Sequence, residues 1–262
     1  MRKSYFLILL CSISLSAFSQ PYGNEWINYS QKYFKFPITK NGVYRIDYNT
    51  IMNAGIPIGN IDPRGIQLFG RGKEVPLYIQ GEADSVFDNT DFIEFYAKRN
   101  DAWLDSLAYD TPNSLVNPYY SLFNDTAYYF LTWDTITNHS RMVVENDVAT
   151  GLYSSQPYFF KEAISYHKDE YFHGVTNLFG SYDPEFSDAE GWATNSFGFN
   201  ATRLEFLSTK NLYLAGPNAL FKANVISSSD DVAFNGDNHL QVNCSQTHCY
   251  LILFLMVIKP CD

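Results

Sequence analysis

"YFKFPITKNGVYRIDY", residues 33–48, is the stretch on which the fold turns. Apolar and polar residues alternate on both sides of a break, the period of two that places one side of a strand against a core and the other in water. The break holds Asn41-Gly42, the dipeptide most favoured in two-residue hairpin loops. The stretch therefore predicts a hairpin, with Tyr33 to Ile38 as one strand and Val43 to Tyr48 as its return.

The same signals recur outward from it. "DYNTIMNAG" reads as a short helix ended by Gly55, followed by strands "IQLFG" and "VPLYIQG". "DFIEFYAKR" alternates as a strand with one wet face, and "YYSLFNDTAYYFLTW" reads as a loop feeding a long aromatic strand. Residues 138–188 are less regular, and "YHKDEYFHGVTNLFG" fits a helix or an extended connector. Past Gly191, "SFGFNATRLEFLS", "KNLYLAG", "ALFKANVISSS" and "HLQVN" read as strands of a second, incomplete sandwich. The 20 Tyr and 21 Phe, part of an aromatic content of 17%, suit pleated, half-buried surfaces. The expected class is mainly β: antiparallel β-sandwich modules with one or two short helices.

The expected organisation is linear. Residues 1–20 have the form of a secretory signal peptide, with Arg2 and Lys3 before an apolar run and Ala17-Phe18-Ser19 at its end. An N-terminal β domain follows over 21–150, a connector over 151–190 and the incomplete β domain over 191–243. Leu10 stands before Cys11 where a lipid-attachment signal wants a small residue, so lipidation is not expected. The expected destination is outside the cytoplasm: the periplasm, the outer-membrane surface or the medium. With no cysteine between Gln20 and Asn243, such an exported domain relies on its apolar core rather than on disulfides.

Residues 244–262, "CSQTHCYLILFLMVIKPCD", break that pattern with three of the four cysteines and an apolar run. Cys244, His248, Cys249 and Cys261 approach a zinc set only if the chain folds back over that run, because a closed site needs four ligands at workable spacing. The run from Tyr250 to Ile258 is too short to span a bilayer as a helix. The abrupt change is the kind a frameshift produces, and the tail is expected to lie outside the authentic domain.

Charge and motifs narrow the function. The net charge of −10, with no basic cluster, argues against nucleic acid. No phosphate loop, dinucleotide fingerprint, nucleophile elbow or paired-histidine zinc helix occurs. His139, His167, His173 and His239 stand singly, and "YFHG" around His173 is the nearest thing to an active-site loop. Asp84, Asp88 and Asp91, and Asp230, Asp231 and Asp237, read as solvated turn acids, since neither group has calcium-loop spacing. Trp26, Trp103 and Trp192 are aromatic candidates for stacking on sugars, with packing as the other reading. No cofactor is expected, and the expected partners are proteins, with no stable membrane span.

"GNEWINYSQKYFKFPITKNGVYRIDY", "IDPRGIQLFGRGKEVPLYIQGE", "FDNTDFIEFYAKRNDAWLDS" and "NPYYSLFNDTAYYFLTW" together resemble the N-terminal, non-catalytic part of gingipain-like cysteine peptidases. The nearest likeness is to the PorU-like sortases of the type IX secretion system of Bacteroidota, over roughly Gly23 to Asn243. That resemblance implies a β-rich region which, in full-length relatives, precedes a caspase-like domain holding the catalytic histidine and cysteine. Those relatives cleave the sorting signal of secreted cargo and attach the cargo to surface lipopolysaccharide. No catalytic position carries over to this chain, so it is expected to be a truncated, non-enzymatic segment. Its partners would be the missing peptidase domain or secretion-complex components. The alternative is a self-sufficient secreted β-sandwich that binds glycan or protein. Proteins of that compartment can carry glycans at Asp-Ser/Thr-apolar triplets, which makes Ser85, Ser106, Thr126 and Thr135 candidate sites.

Overall fold

The computed structural model describes residues 23–146, 151, 154–174, 179–182, 184–198, 201–207, 211, 213, 215–217, 220, 222–227 and 255–259, the last five as backbone only. The signal-peptide region, Asp230, Asp231, Asp237, His239, His248 and all four cysteines lie outside the described residues.

Among the described residues the chain is mainly β, with one α-helix and several 3-10 turns. It divides into two compact units that are discontinuous in sequence. Of the described residues, those up to 99 and those in 126–144 make the first, and those in 100–125 and beyond 144 make the second.

The first unit is a two-sheet sandwich. β1 (Phe34–Ile38), β7 (Ala127–Trp133), β3 (Ile66–Gly70) and β4 (Lys73–Glu74) form one sheet in that order. β2 (Gly42–Asp47), β6 (Phe92–Ala97) and β5 (Tyr78–Ile79) form the other. All pairings in both sheets are antiparallel. Ile38, Leu68 and Leu131 from the first sheet meet Ile79, Ile93 and Phe95 from the second in one buried cluster. Between the sheets the Phe95 ring packs against Phe36, Tyr44 and Tyr129 at centroid distances of 5.9, 6.0 and 6.4 Å.

The expected hairpin at Asn41-Gly42 does not form. β1 pairs with β7 and β2 with β6, so the chain crosses from one sheet to the other between them. Neither Asn41 nor Gly42 takes the positive φ that a type I′ loop requires at both positions. Instead the Asn41 side-chain oxygen accepts the N–H of Arg99 at 2.9 Å, tying the crossing to the end of β6. A tight hairpin lies elsewhere, between β3 and β4, with Arg71 at φ 54° and Gly72 at φ 73°. The Arg71 guanidinium donates to the Arg99 carbonyl at 2.5 Å, which anchors that arginine in its left-handed backbone.

Other elements follow the sequence more closely. The helix α1 (Tyr48–Asn53) is capped by Asp47, whose carboxylate accepts the N–H of Thr50 at 2.7 Å, and Gly55 follows at φ 74°. "VPLYIQG" shortens to the two residues of β5. The outer face of the first sheet is covered by the segment before β1. Trp26 stacks on Phe69 at 5.1 Å and leans on Phe130 and Tyr33, while Thr132 donates to the Lys32 carbonyl.

Gly81 sits at φ 83°, and a Cβ there would collide with the Asp91 carboxylate. Replacing Gly81 with alanine is expected to destabilise the first unit by roughly 2 kcal/mol, from combined strain and overlap. Chemical denaturation of both variants reads this as a shift in midpoint.

In the second unit β8 (Glu170–Phe172) pairs antiparallel with β9 (Gly191–Ala193). The stretch "YHKDEYFHGVTNLFG" thus holds a strand in its described part. β10 (Lys222–Ile226) pairs with β11 (Leu255–Lys259), and this pair is parallel, a departure from the expected antiparallel modules. The strand expected over "SFGFNATRLEFLS" is not formed in its described residues. In "KNLYLAG" the described residues are turn and coil, and "HLQVN" lies outside them.

Candidate functional site

Most of the described histidines and acids singled out in the sequence are drawn into contacts that hold loops together. In the first unit, the chain after β7 turns at Asp134 and runs as a strap beside Leu77. Leu77 donates to the Ser140 carbonyl at 3.2 Å and accepts from Met142 at 2.8 Å. His139 on this strap is nearly buried. Its Nε2 lies 2.8 Å from Asp134 Oδ1 and its Nδ1 3.8 Å from Glu74 Oε1. Arg141 reaches further, donating to the carbonyls of Ile66, Pro63 and Arg64 and to the Glu82 carboxylate at 2.8 Å. One guanidinium therefore ties together backbone acceptors of β3 and the preceding 3-10 turn, where the Pro63 carbonyl also accepts the Ile66 N–H.

The acid cluster beside it is only partly what the sequence suggested. Asp84 accepts the N–H of Val86 and Asp88 accepts that of Thr90, as turn acids do. The hydrogen bonds from Thr90 hold the Asp88 carboxyl below its ordinary range. Asp91 is not solvated: it is buried, facing Gly81, and accepts the Asp88 N–H at 2.9 Å. Among the described residues no cluster of three or more His, Cys, Asp or Glu could hold a metal ion.

The densest polar and aromatic grouping lies in the second unit, around Glu190. The Tyr109 hydroxyl donates to the Glu190 carbonyl at 2.5 Å and the Tyr171 hydroxyl to Oε1 at 3.1 Å, while Oε2 accepts the Ser187 N–H. Trp192 meets Tyr171 edge-on at 5.2 Å and donates through Nε1 to the Ser121 carbonyl. Lys168 sits 4.8 Å above the Trp192 ring and pairs with Asp125. His173 is held between the rings of Tyr171 and Tyr182 at 4.9 and 5.2 Å. Beneath, the buried Asp105 accepts from the Ser121 hydroxyl and the Leu122 N–H. His167 joins a separate surface set, 3.1 Å from Glu205 and 3.5 Å from Asp169, with Arg203 bridging both acids.

Burial raises both tyrosines, with the Glu190 charge adding to it: Tyr171 is pushed up to about 12 and Tyr109 moves in the same direction. A phenol whose folded value is raised favours folding below its unfolded value near 10. That contribution is lost as pH rises through the folded value. Alkaline titration of phenolate absorbance is expected to show a late step above the ordinary tyrosine range, and Tyr171→Phe is expected to diminish it. An unchanged late step would contradict the Glu190 grouping.

The aromatic and glycan candidates separate by access. Trp26 is committed to its own sheet and Trp192 to the Ser121 carbonyl, whereas Trp103 is 44% exposed. Thr135 is exposed in a turn where Asp134 accepts the Ile136 N–H. Ser85, Ser106 and Thr126 are half-buried. Sequence reasoning missed Arg141, Glu190, Tyr109 and Tyr171, whose partners lie far away in the chain, so that no local spacing signals them.

No family model, curated protein or solved structure matches the chain. Among the described residues, no helix is long and apolar enough to cross a membrane.

Proposed function

We propose that the chain is the N-terminal, non-catalytic β-rich region of a gingipain-like cysteine peptidase of the PorU-like sortase type. In this reading it is an exported scaffold that contacts the peptidase domain or components of the secretion machinery. The observation that carries the binding role is the use of the polar side chains. His139 pairs with Asp134, and Arg141, Asp91, Asp105 and Glu190 each hold backbone groups, while the second sheet of the sandwich presents Val43 and Tyr96 to solvent. The phrases that carry the family likeness supply the Trp26 clamp, the β3–β4 hairpin, β6 and β7 of one sandwich.

The test is an activity measurement with the purified chain. Peptide reporters carrying Arg or Lys at the scissile position are expected to show no turnover that thiol alkylation abolishes. Such turnover would make the chain a peptidase and end this reading.

The second reading, a self-sufficient glycan-binding module, is favoured by the exposure of Trp103 alone among the tryptophans considered. Saturable glycan binding lost in a folded Trp103→Ala variant would select it. In that compartment Thr135 is the most accessible of the four candidate glycan sites.

A further inference from the structure

The sandwich of the first unit has four sheet edges, and three are closed to further strands. β1 carries Pro37, which has no N–H to donate. β4 and β5 are two residues long, and the strap residue Arg141 already bridges Leu77 beside β5. β2 differs on every count. It runs for six residues without proline, stands at the end of its sheet and, among the described residues, pairs with β6 alone. Proteins normally blunt a strand of this kind, because its open backbone groups template another strand.

The side chains beside that edge carry a charge order. On the face away from the core β2 presents Val43, 69% exposed, then Arg45 and Asp47. Arg45 is held in place by Glu94 at 2.7 Å and by the Phe92 ring at 3.8 Å. We propose that the β2 edge accepts an extended segment of a partner protein as an added antiparallel strand, with the order basic-x-acidic-x-apolar from its N-terminus. Its basic residue faces Asp47, its acidic residue Arg45 and its apolar residue Val43, the directly opposed positions at which opposite charges and apolar pairs stabilise a sheet. A second copy of β2 fits poorly: of the two five-residue antiparallel registers that keep the exposed faces together, one sets Arg45 against Arg45 and the other sets Arg45 against Val43, and neither matches opposite charges or apolar pairs. This surface stands on edge chemistry alone and does not depend on the family assignment.

The experiment uses the full chain and two synthetic peptides in calorimetric titration and amide hydrogen exchange. One contains Lys-Thr-Glu-Thr-Val and the other the charge-exchanged Glu-Thr-Lys-Thr-Val. The first is expected to bind roughly tenfold more tightly and to slow exchange within residues 42–47. In the double variant Arg45→Glu, Asp47→Lys the preference is expected to reverse. If that variant fails to fold, the two peptides against the unmodified chain still decide. Equal binding of both peptides, absence of binding, or unchanged exchange in 42–47 overturns the proposal. So does a concentration-dependent dimer that Arg45→Glu abolishes, which would give the edge to a second copy.

Discussion

Replacing Phe95 with alanine is expected to remove about 3–5 kcal/mol of stability from the first unit, the largest effect of any single change considered. Phe95 is 1% exposed in the middle of β6, and its ring touches aromatic side chains from both sheets. Truncation leaves a void bordered by Phe36, Tyr44 and Tyr129, which hang from strands whose hydrogen bonds limit their collapse. Chemical denaturation followed by tyrosine fluorescence checks it. A loss below about 1 kcal/mol would mean that the two sheets do not share this core.

Arg141→Ala is expected to cost about 3 kcal/mol, through the acceptors it strands rather than through lost charge. The guanidinium is the shared donor for the Ile66, Pro63 and Arg64 carbonyls and for Glu82. Lysine cannot replace it, because three donors on one point charge do not match four acceptors spread around a planar fork. Arg141→Lys is therefore expected to retain under half of the lost stability. The strap should open as a unit, read as faster amide exchange at Leu77 and Met142 in either variant. Full recovery by lysine would show that the charge, not the fork, is what matters.

How far the sequence foretold this depends on the kind of information each element carries. Alternation identified β2 and β6 as strands, and aromatic content β7, because burial on one face is a local property. It could not choose their partners. β1 and β2 turn their apolar residues to the same core whether they pair with each other or sit in facing sheets, so the pattern from 33 to 48 fits both arrangements. The side chain of Asn41, bonded to Arg99 across 58 residues, fixes the outcome and has no local signature. The Arg71-Gly72 turn was overlooked for a related reason: arginine seldom adopts positive φ, and here a long-range bond holds it there. Turn chemistry located Asp84 and Asp88 correctly but not the burial of Asp91, which depends on the bare Gly81 opposite. The Tyr109–Glu190 contact joins residues 81 apart, beyond the reach of any spacing argument. Parallel pairing of β10 with β11 likewise depends on a partner segment that the sequence marked only as an apolar run.

The central claim, that this β-rich chain works by contact and not by catalysis, meets its most direct test in one titration. The purified chain is titrated calorimetrically with a separately produced PorU-like peptidase domain. A saturable one-to-one complex supports the account. Absence of heat and of co-elution at the highest soluble concentrations of both proteins would contradict it.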